Sequence, residues 1–175
     1  GIAVDTLGEL DLIRKNKNVY DTFRERIVFP IYNEKNMIVG FSGRTTSASG
    51  ETAKYLNTGE TPVFKKGDEL FGIHLAKTHI RKIGYAYLVE GNWDVVSAHA
   101  RGIENTVAPC GTALTENQLK LLKKYTEHLV FIYDADGAGR KALLKNTKLA
   151  VEQGFNVEAI MLDEGEDPDT YFRTD

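Results

Sequence analysis

The second half of the chain alternates short apolar runs with segments of helical periodicity. Runs with the length and composition of buried strands lie at 85–89, 105–109, 129–133 and 157–162. Between them, helices are predicted over 93–100, 119–125 and 139–153, and a short helix is expected near the end of the chain. This alternation predicts an α/β fold whose sheet is parallel, with right-handed crossovers.

The first half of the chain has a different pattern. Apolar runs at 27–31 and 37–43 flank the polar segment 32–36, which predicts a β-hairpin. Further along, apolar residues near helical spacing predict a helix over 68–80. We therefore expect two parts, a mixed α+β part over 1–83 and the parallel α/β part over 84–175.

Two segments between the hairpin and the predicted helix lack a clear period. Residues 45–52 are rich in Ser, Thr and Gly and predict an exposed loop. Residues 54–67 carry turn residues, and we expect them to be irregular. Later in the chain, Thr115 and Gln118 have the spacing of a capping box and mark the start of a helix.

Composition narrows the class of protein. The single cysteine, Cys110, excludes an internal disulfide framework and a Cys-rich zinc site. No run of about 18 apolar residues is present, and residues 1–18 do not resemble a secretory signal, so we expect a soluble intracellular protein. The sequence also lacks the glycine and lysine pattern of a P-loop ATPase.

Charge is unevenly distributed along the chain. The formal net charge is −3, from 22 Lys and Arg against 25 Asp and Glu. Residues 1–66 contain ten basic and eight acidic side chains, whereas residues 67–175 contain twelve and seventeen. The overall balance argues against a uniformly basic DNA-coating protein, but the basic first part suits contacts to phosphates.

Acidic residues follow three of the predicted strands at the points where those strands end. They are Glu90 and Asp94, Asp134 and Asp136, and Asp167 and Asp169. Sites in open α/β sheets form beyond the carboxyl ends of the strands, and carboxylates gathered there repel one another unless cations or protons neutralise them. Oxygen ligands without His or Cys favour Mg²⁺ or Mn²⁺, so the pattern predicts a divalent-metal site.

Each acid also has a simpler interpretation. Asp94 and Asp136 stand near predicted helix starts, where a carboxylate is favourable on its own. Residues 163–169 hold five carboxylates in seven positions, and such a run is typical of a solvated loop. Both interpretations stay open at this point.

The order of the acidic motifs resembles the toprim fold of bacterial primases, topoisomerases and some nucleases. The motifs are VEG with Asp94 four residues after Glu90, DxDxAG from Asp134, and GEDPD over 165–169. The upstream half narrows the resemblance to DnaG-type bacterial primases. The segments that carry it, in order, are FRER (23–26), FPI (29–31), GFSGR (40–44), KYLN (54–57), ETP (60–62) and KG (66–67).

The likeness covers about 19–175, with some departures. Asn92 and Trp93 replace a more usual Tyr-Met pair, and Ala135 replaces a common Gly. Residues 108–111 also differ from the family pattern. These departures leave both a chromosomal primase and a primase of a phage or mobile element open.

The resemblance implies a toprim fold with a central parallel sheet flanked by helices, preceded by part of a mixed α+β basic primase subdomain. It implies catalytic acids at Glu90, Asp134 and Asp136. It implies two or more Mg²⁺ or Mn²⁺ ions, with no zinc in this segment, and metal ligands at Glu90, Asp94, Asp134, Asp136, Asp167 and Asp169. It implies contacts to template, primer or nucleotide phosphates at Arg24, Arg26, Arg44, Lys54 and Lys66.

The function implied is synthesis of short RNA primers on single-stranded DNA in the bacterial cytoplasm. The expected partners are the single-stranded template, ribonucleoside triphosphates, the RNA primer and, through regions outside this chain, a replicative helicase; no membrane is expected. On this interpretation the chain is a fragment of the RNA polymerase core. The alternatives are a toprim nuclease or topoisomerase that cleaves DNA with the same acids, and a non-catalytic DNA-binding module.

Overall fold

A computed structural model describes residues 1–47, 53–163 and 165–173. It divides into two compact units, unit 1 (Gly1–Lys66) and unit 2 (Gly67–Asp175). Of the loop predicted over 45–52, residues 48–52 lie outside the described residues. Within the described part of the chain, no helix is long and apolar enough to cross a membrane.

Unit 1 is built mainly from short antiparallel strands. Its described elements are α1 (Val4–Glu9), β1 (Ile13–Lys15), β2 (Val19–Asp21), β3 (Arg26–Tyr32), β4 (Ile38–Thr45) and β5 (Tyr55–Asn57). Strands β1 and β2 form one ribbon, and β3, β4 and β5 form a three-stranded sheet in that order. The predicted hairpin is therefore confirmed as β3 and β4, which pair antiparallel.

Strand β5 corrects the prediction that 54–67 is irregular. Tyr55, Leu56 and Asn57 pair antiparallel with β4. Three residues are too few to show a period of two against the surrounding turn residues, so the strand is formed by its pairing with a neighbour rather than by a local pattern.

Unit 2 contains the parallel sheet. Its described elements are β6 (Leu70–Phe71), α2 (Ile73–Ile83), β7 (Ala86–Val89), α3 (Asn92–Ala100), β8 (Thr106–Pro109), α4 (Glu116–Lys123), β9 (His128–Ile132), α5 (Gly137–Glu152), β10 (Asn156–Ile160) and α6 (Pro168–Tyr171). The strands lie in the order β10-β9-β7-β8-β6. Strands β7, β8, β9 and β10 pair parallel with one another, as predicted. Strand β6 pairs antiparallel with β8 at one edge of the sheet.

The helix predicted over 68–80 begins later than expected. Leu70 and Phe71 form β6, and Gly72 follows with φ +85°, a left-handed conformation that favours glycine. A Cβ at Gly72 would also lie 2.7 Å from Val95 Cγ1, so the position is closed to larger residues. The helix therefore starts only at Ile73.

The packing also places the division between the units earlier than the predicted boundary at 83/84. Strand β6 pairs with β8, and Ile73, Ala76 and Ile80 of α2 are fully buried in the apolar core of unit 2. The segment 67–83 therefore packs with the parallel sheet, although its residues precede the first strand of the βα alternation.

A buried glutamine fixes the start of α4. Thr115 Oγ1 accepts a hydrogen bond from the Gln118 backbone N–H, and Gln118 Oε1 accepts one from the Thr115 N–H at 3.1 Å. This reciprocal pair confirms the predicted capping box. Gln118 is fully buried, and its Nε2 donates to the Glu69 carbonyl at 2.8 Å, which ties α4 to the segment before β6.

We expect Gln118→Leu to destabilise the protein by about 1–3 kcal/mol, because it leaves the partly buried Glu69 carbonyl and the Thr115 N–H without this partner. Urea unfolding followed by circular dichroism measures the change. Asn117→Leu, at the exposed neighbouring position, removes only an exposed hydrogen bond from Asn117 Nδ2 to Asp68 Oδ1. It is the control and should change stability by less than about 0.5 kcal/mol. Equal effects of the two substitutions would contradict the role given to Gln118.

Candidate active site

The acids come from three strands that lie side by side in the sheet. Strands β7, β9 and β10 are neighbours, and Val89 pairs with Ile132, so β7 and β9 end at the same level. Glu90 follows β7 directly, and Asp134 lies two residues beyond β9. The two are joined, because the Asp134 backbone N–H donates to Glu90 Oε1 at 3.1 Å. The predicted acidic edge is thus formed where β7 and β9 end.

A glycine allows the first turn of α5 to approach these acids closely. A Cβ at Gly139 would lie 2.3 Å from the Asp134 carbonyl oxygen and 2.9 Å from Glu90 Oε1. Real Cβ atoms do not come this close to other atoms, so any larger residue would push α5 away from the strand ends. The glycine of the DxDxAG motif is therefore required by packing against the acidic residues themselves.

Three of the predicted ligands also cap helices. Asp136 Oδ1 accepts from the Gly139 N–H at 2.7 Å, and Asp167 Oδ1 accepts from the Thr170 N–H at 2.7 Å. Asp94 Oδ2 accepts from the Gly91 N–H at 3.0 Å at the start of α3. The simpler interpretation of Asp94 and Asp136 as helix-start residues is thus correct as far as it goes. Each of these bonds engages one oxygen of its carboxylate and leaves the other oxygen outside the capping bond.

The pKa values of two of the acids are raised by burial and by the charges of neighbouring carboxylates. Burial, together with the charges of Asp134, Asp167 and Asp169, raises the pKa of Asp94 to about 7, against the hydrogen bond from Gly91. Burial likewise raises the pKa of Glu90, with added repulsion from Asp134 and Asp136. Negative charge at this edge is therefore not fully compensated by the protein.

Asp169 differs from the other acids, because a cation neutralises it. Burial acts to raise its pKa, but hydrogen bonds from Ser97, Arg173 and Trp93 outweigh burial and lower it. Arg173 Nη2 lies 2.7 Å from Asp169 Oδ2, one turn along the chain. The structure thus brings Asp169 close enough to repel Asp94 but holds its carboxylate in an ion pair.

A cleft of about 620 Å³ opens beside the acidic edge. Its lining residues are Asp134, Ala135, Asp136, Gly137, Arg140, Gly165, Glu166 and Asp167. Among the described residues that line the cleft, Arg140 alone is basic, and its Nε donates to the Ala135 carbonyl at 3.0 Å. The cleft therefore joins the acids after β9 to the acidic run after β10.

The donor set fits a hard divalent cation. Its side chains offer carboxylate oxygens. Burial first, and repulsion from neighbouring carboxylates second, raise the pKa values of Glu90 and Asp94, and a cation would offset both effects. Among the described residues, however, no three His, Cys, Asp or Glu side chains converge closely enough to hold one ion between them. Coordination by three of these carboxylates would therefore need some of them to turn from the positions they hold as caps.

In unit 1, one row of residues crosses the three-stranded sheet, and two of the predicted basic residues, one of them in this row, lie close to an aromatic ring. Ile27 of β3 pairs with Arg44 of β4, and Arg44 pairs with Tyr55 of β5, so their side chains share one face. The Arg44 guanidinium carbon and the Lys54 Nζ each lie 5.8 Å from the centre of the Tyr55 ring. Ile27 and Tyr55 are exposed, which leaves an aromatic surface flanked by two cations.

The other predicted basic residues of unit 1 lie apart from this row. Arg26 pairs with Thr45 and so lies on the opposite face of the sheet, where its Nη1 donates to the Gly43 carbonyl at 3.1 Å. The Arg24 guanidinium lies 4.5 Å from the centre of the Tyr20 ring. Lys66 is held through its backbone N–H, which donates to Glu60 Oε1 at 3.1 Å.

Two family models match the chain. The model for the N-terminal domain of the DNA primase catalytic core matches residues 1–77, and a toprim-like model matches residues 87–172. The chain belongs to the DnaG-type primase family.

Relatives and solved structures agree with this assignment. The chain is 44% identical to the DNA primase of Clostridium acetobutylicum over 93% of its own length and 27% of that protein. It matches the crystal structure of the zinc-binding and RNA polymerase domains of Aquifex aeolicus primase with a TM-score of 0.91 and 38% identity, over 98% of this chain and 43% of that one. The structure of a DnaG primase catalytic domain bound to ssDNA matches with a TM-score of 0.88 and 35% identity, over 98% and 54% of the two chains. The chain thus spans between about a quarter and a third of the curated relatives' length.

Sequence reasoning missed two features of the site. Arg140 lines the cleft. It directly follows the DxDxAG motif, in the first turn of α5, and this position could have indicated that its side chain lies near the acids. The ion pair of Arg173 with Asp169 follows from their i, i+4 spacing, which marks a favourable pair on a helical turn.

We expect Gly139→Ala to weaken Mn²⁺ binding by about ten- to a hundredfold, because the added Cβ displaces Glu90 and Asp134 from their present contact. Calorimetric titration with Mn²⁺ measures the loss. Gly137→Ala, two residues away in the same helix, is the matched control, since a Cβ there meets nothing within 4 Å. Unchanged binding in Gly139→Ala would show that the close approach does not govern the site.

We expect the free energy of unfolding of the metal-free protein to fall as pH rises from about 4 to about 7. A carboxyl whose pKa is raised by folding stabilises the fold while protonated, and this stabilisation is lost as pH passes the folded value. For Asp94, a rise from 3.8 to about 7 corresponds to at most about 4 kcal/mol.

Urea unfolding at a series of pH values, with and without Mn²⁺, tests this dependence. Asp94→Asn should flatten the profile, and Asp68→Asn, at an exposed position that is not among the cleft-lining residues, should leave it as in the parent. A profile that Asp94→Asn does not change would contradict the assignment.

Proposed function

We propose that the chain is the catalytic core of a DNA primase, a DNA-dependent RNA polymerase that makes short RNA primers on single-stranded DNA. The observation that carries the proposal is the acidic edge formed after three adjacent strands, beside a cleft, in a chain whose first unit matches a primase-specific model. Primase relatives over both units support the same function.

The proposed reaction is attack of a 3′-hydroxyl on the α-phosphorus of a ribonucleoside triphosphate. The new bond joins the hydroxyl oxygen to phosphorus, the bond to the β-phosphate breaks, pyrophosphate leaves and the hydroxyl proton is released. Bound Mg²⁺ or Mn²⁺ would supply Lewis acidity at the α-phosphate and neutralise the triphosphate.

In this proposal, Glu90, Asp134 and Asp136 are the catalytic acids that hold the ions. Asp94 and Asp167 extend the ligand set, and Asp169 joins it once its carboxylate leaves Arg173. The hydrogen bond from Asp134 to Glu90 supports the shared role of these two residues, because it couples the positions of the two strand ends. Two or more ions suit the number of carboxylates.

Unit 1 is proposed to hold nucleic acid. Arg44 and Lys54 flank the exposed Tyr55 ring, and basic side chains beside an aromatic ring are the elements with which proteins bind single strands. Arg24, Arg26 and Lys66 are proposed as further contacts to template, primer or nucleotide phosphates. The DnaG catalytic domain that was solved bound to ssDNA supports this assignment.

The remaining partners follow from the family. We propose that the protein works with a replicative helicase in the bacterial cytoplasm. Its gene is proposed to belong to the bacterial chromosome or to a phage or mobile element. Zinc has no proposed site in this chain, since its single cysteine is buried.

A toprim nuclease or topoisomerase is the alternative, and the comparisons do not favour it. The chain resembles primases across unit 1 as well as unit 2, and the relatives and solved structures named above are primases. Nicking or relaxation of supercoiled DNA with Mg²⁺ and no nucleotides would favour the alternative over the primase.

We expect Glu90→Gln and Asp134→Asn each to reduce template-dependent primer synthesis by at least about a hundredfold, because each removes a negative oxygen ligand from the proposed ion site. Incorporation of labelled ribonucleotides on single-stranded DNA with Mg²⁺ measures the rate. Glu116→Gln, on the exposed start of α4, is the control and should keep the parent rate. Primer synthesis that survives both acid substitutions would refute the proposed function.

A further inference from the structure

The outer face of α5 carries a basic stripe within the acidic unit. Residues 67–175 contain twelve basic and seventeen acidic side chains, but α5 has four basic residues and one acid, Glu152, at its last position. Lys141, Lys145 and Lys148 are exposed and follow one another at i, i+4 and i+7, which places them along one face of the helix. We call these three residues the α5 lysine stripe.

The stripe is largely uncompensated. Lys148 lies 3.9 Å from Glu152, but within the described residues neither Lys141 nor Lys145 has an acidic partner within 4.0 Å. Like charges one turn apart repel, so this arrangement weakens the helix unless an external anion lies along it. The stripe spans about 10 Å at about 1.5 Å per residue, a length over which one strand of a duplex presents about three phosphates.

The stripe begins at the cleft. Asp136 caps α5, Gly137 and Arg140 line the cleft, and Lys141 follows directly on the exposed side. A nucleic acid that has one end at the acidic residues can therefore extend along α5 over basic side chains and meets no acidic surface of that helix on the way.

We propose that the α5 lysine stripe binds the phosphate backbone of the duplex formed by primer and template as it leaves the cleft. This inference rests on the proposed function, since it needs a primer–template duplex at the acidic residues. The absence of aromatic side chains from α5 favours a duplex over a single strand, because single-strand sites pair cations with stacking rings. The large exposed apolar residues of α5 are Leu144 and Val151. Phosphate contacts by lysine hold a duplex without reading its sequence.

The test is binding of a fluorescent RNA–DNA hybrid to the triple variant Lys141→Gln, Lys145→Gln, Lys148→Gln over a range of salt concentrations. We expect weaker binding and a slope of log affinity against log salt that falls by between about 2 and 3, since each duplex phosphate contact contributes about 0.9. Binding of single-stranded DNA should be unchanged.

Two control variants accompany the triple variant. Replacing the three lysines with arginine should keep the affinity for the hybrid. Lys82→Gln, Lys120→Gln and Lys124→Gln, which remove exposed charge from α2 and from α4 and its C-terminal end, should leave the slope as in the parent. An unchanged slope in the stripe variant, or an equal loss of single-strand binding, would overturn the inference.

Activity separates this inference from the proposed function. The stripe variant should make the first dinucleotide at the parent rate and extend it poorly, whereas Glu90→Gln should make neither product and still bind the hybrid. If Glu90→Gln remains active, the proposed function fails. If hybrid binding in the stripe variant equals that of the parent, the inference alone fails.

Discussion

Repulsion among carboxylates that are partly withdrawn from water is the interaction on which the site depends. Glu90, Asp94, Asp134 and Asp136 lie after or beside strands that share one edge, and burial together with their neighbours' charges raises the pKa values of Glu90 and Asp94. Such a cluster weakens the fold at neutral pH in the absence of a counterion. A divalent cation would relieve the repulsion, which is the physical reason for proposing a metal site here.

Local structure holds the acids in place against this repulsion. Asp136 and Asp94 gain favourable bonds to helix-start amides, and Gly139 lets α5 approach Glu90 and Asp134. The N-terminal ends of α3 and α5 point their partial positive charge at the same edge. Capping and glycine packing therefore involve the same few residues that are proposed as metal ligands, so a substitution at one of them displaces its neighbours.

Much of the fold could be predicted from the sequence because unit 2 repeats one unit, an apolar strand followed by an amphipathic helix. Strand-end positions then locate Glu90 and Asp134 at a shared edge. Strand order could not be predicted, and it is decisive: β7, β9 and β10 are adjacent, whereas β8 is bounded by β7 and β6.

The elements and contacts that the sequence did not predict depend on pairing between distant parts of the chain. Strand β5 and strand β6 are only three and two residues long, and each exists because a neighbouring strand pairs with it. The approach of Gly139 to Glu90 joins residues that are far apart in the sequence, so no local pattern reveals it. The pairing of Arg44 with Tyr55 likewise depends on the register between β4 and β5.

Proton release on metal binding tests the central claim most directly, because a cation that relieves the repulsion must displace protons from the acids with raised pKa values. Calorimetric titration with Mn²⁺ in buffers of different ionisation enthalpy measures the number released. The structure predicts release of up to about one proton per protein near pH 6 and almost none above about pH 8.5, where the carboxyls are already ionised. Mn²⁺ binding with no proton release at the lower pH would contradict the account, and so would an absence of Mn²⁺ binding at both.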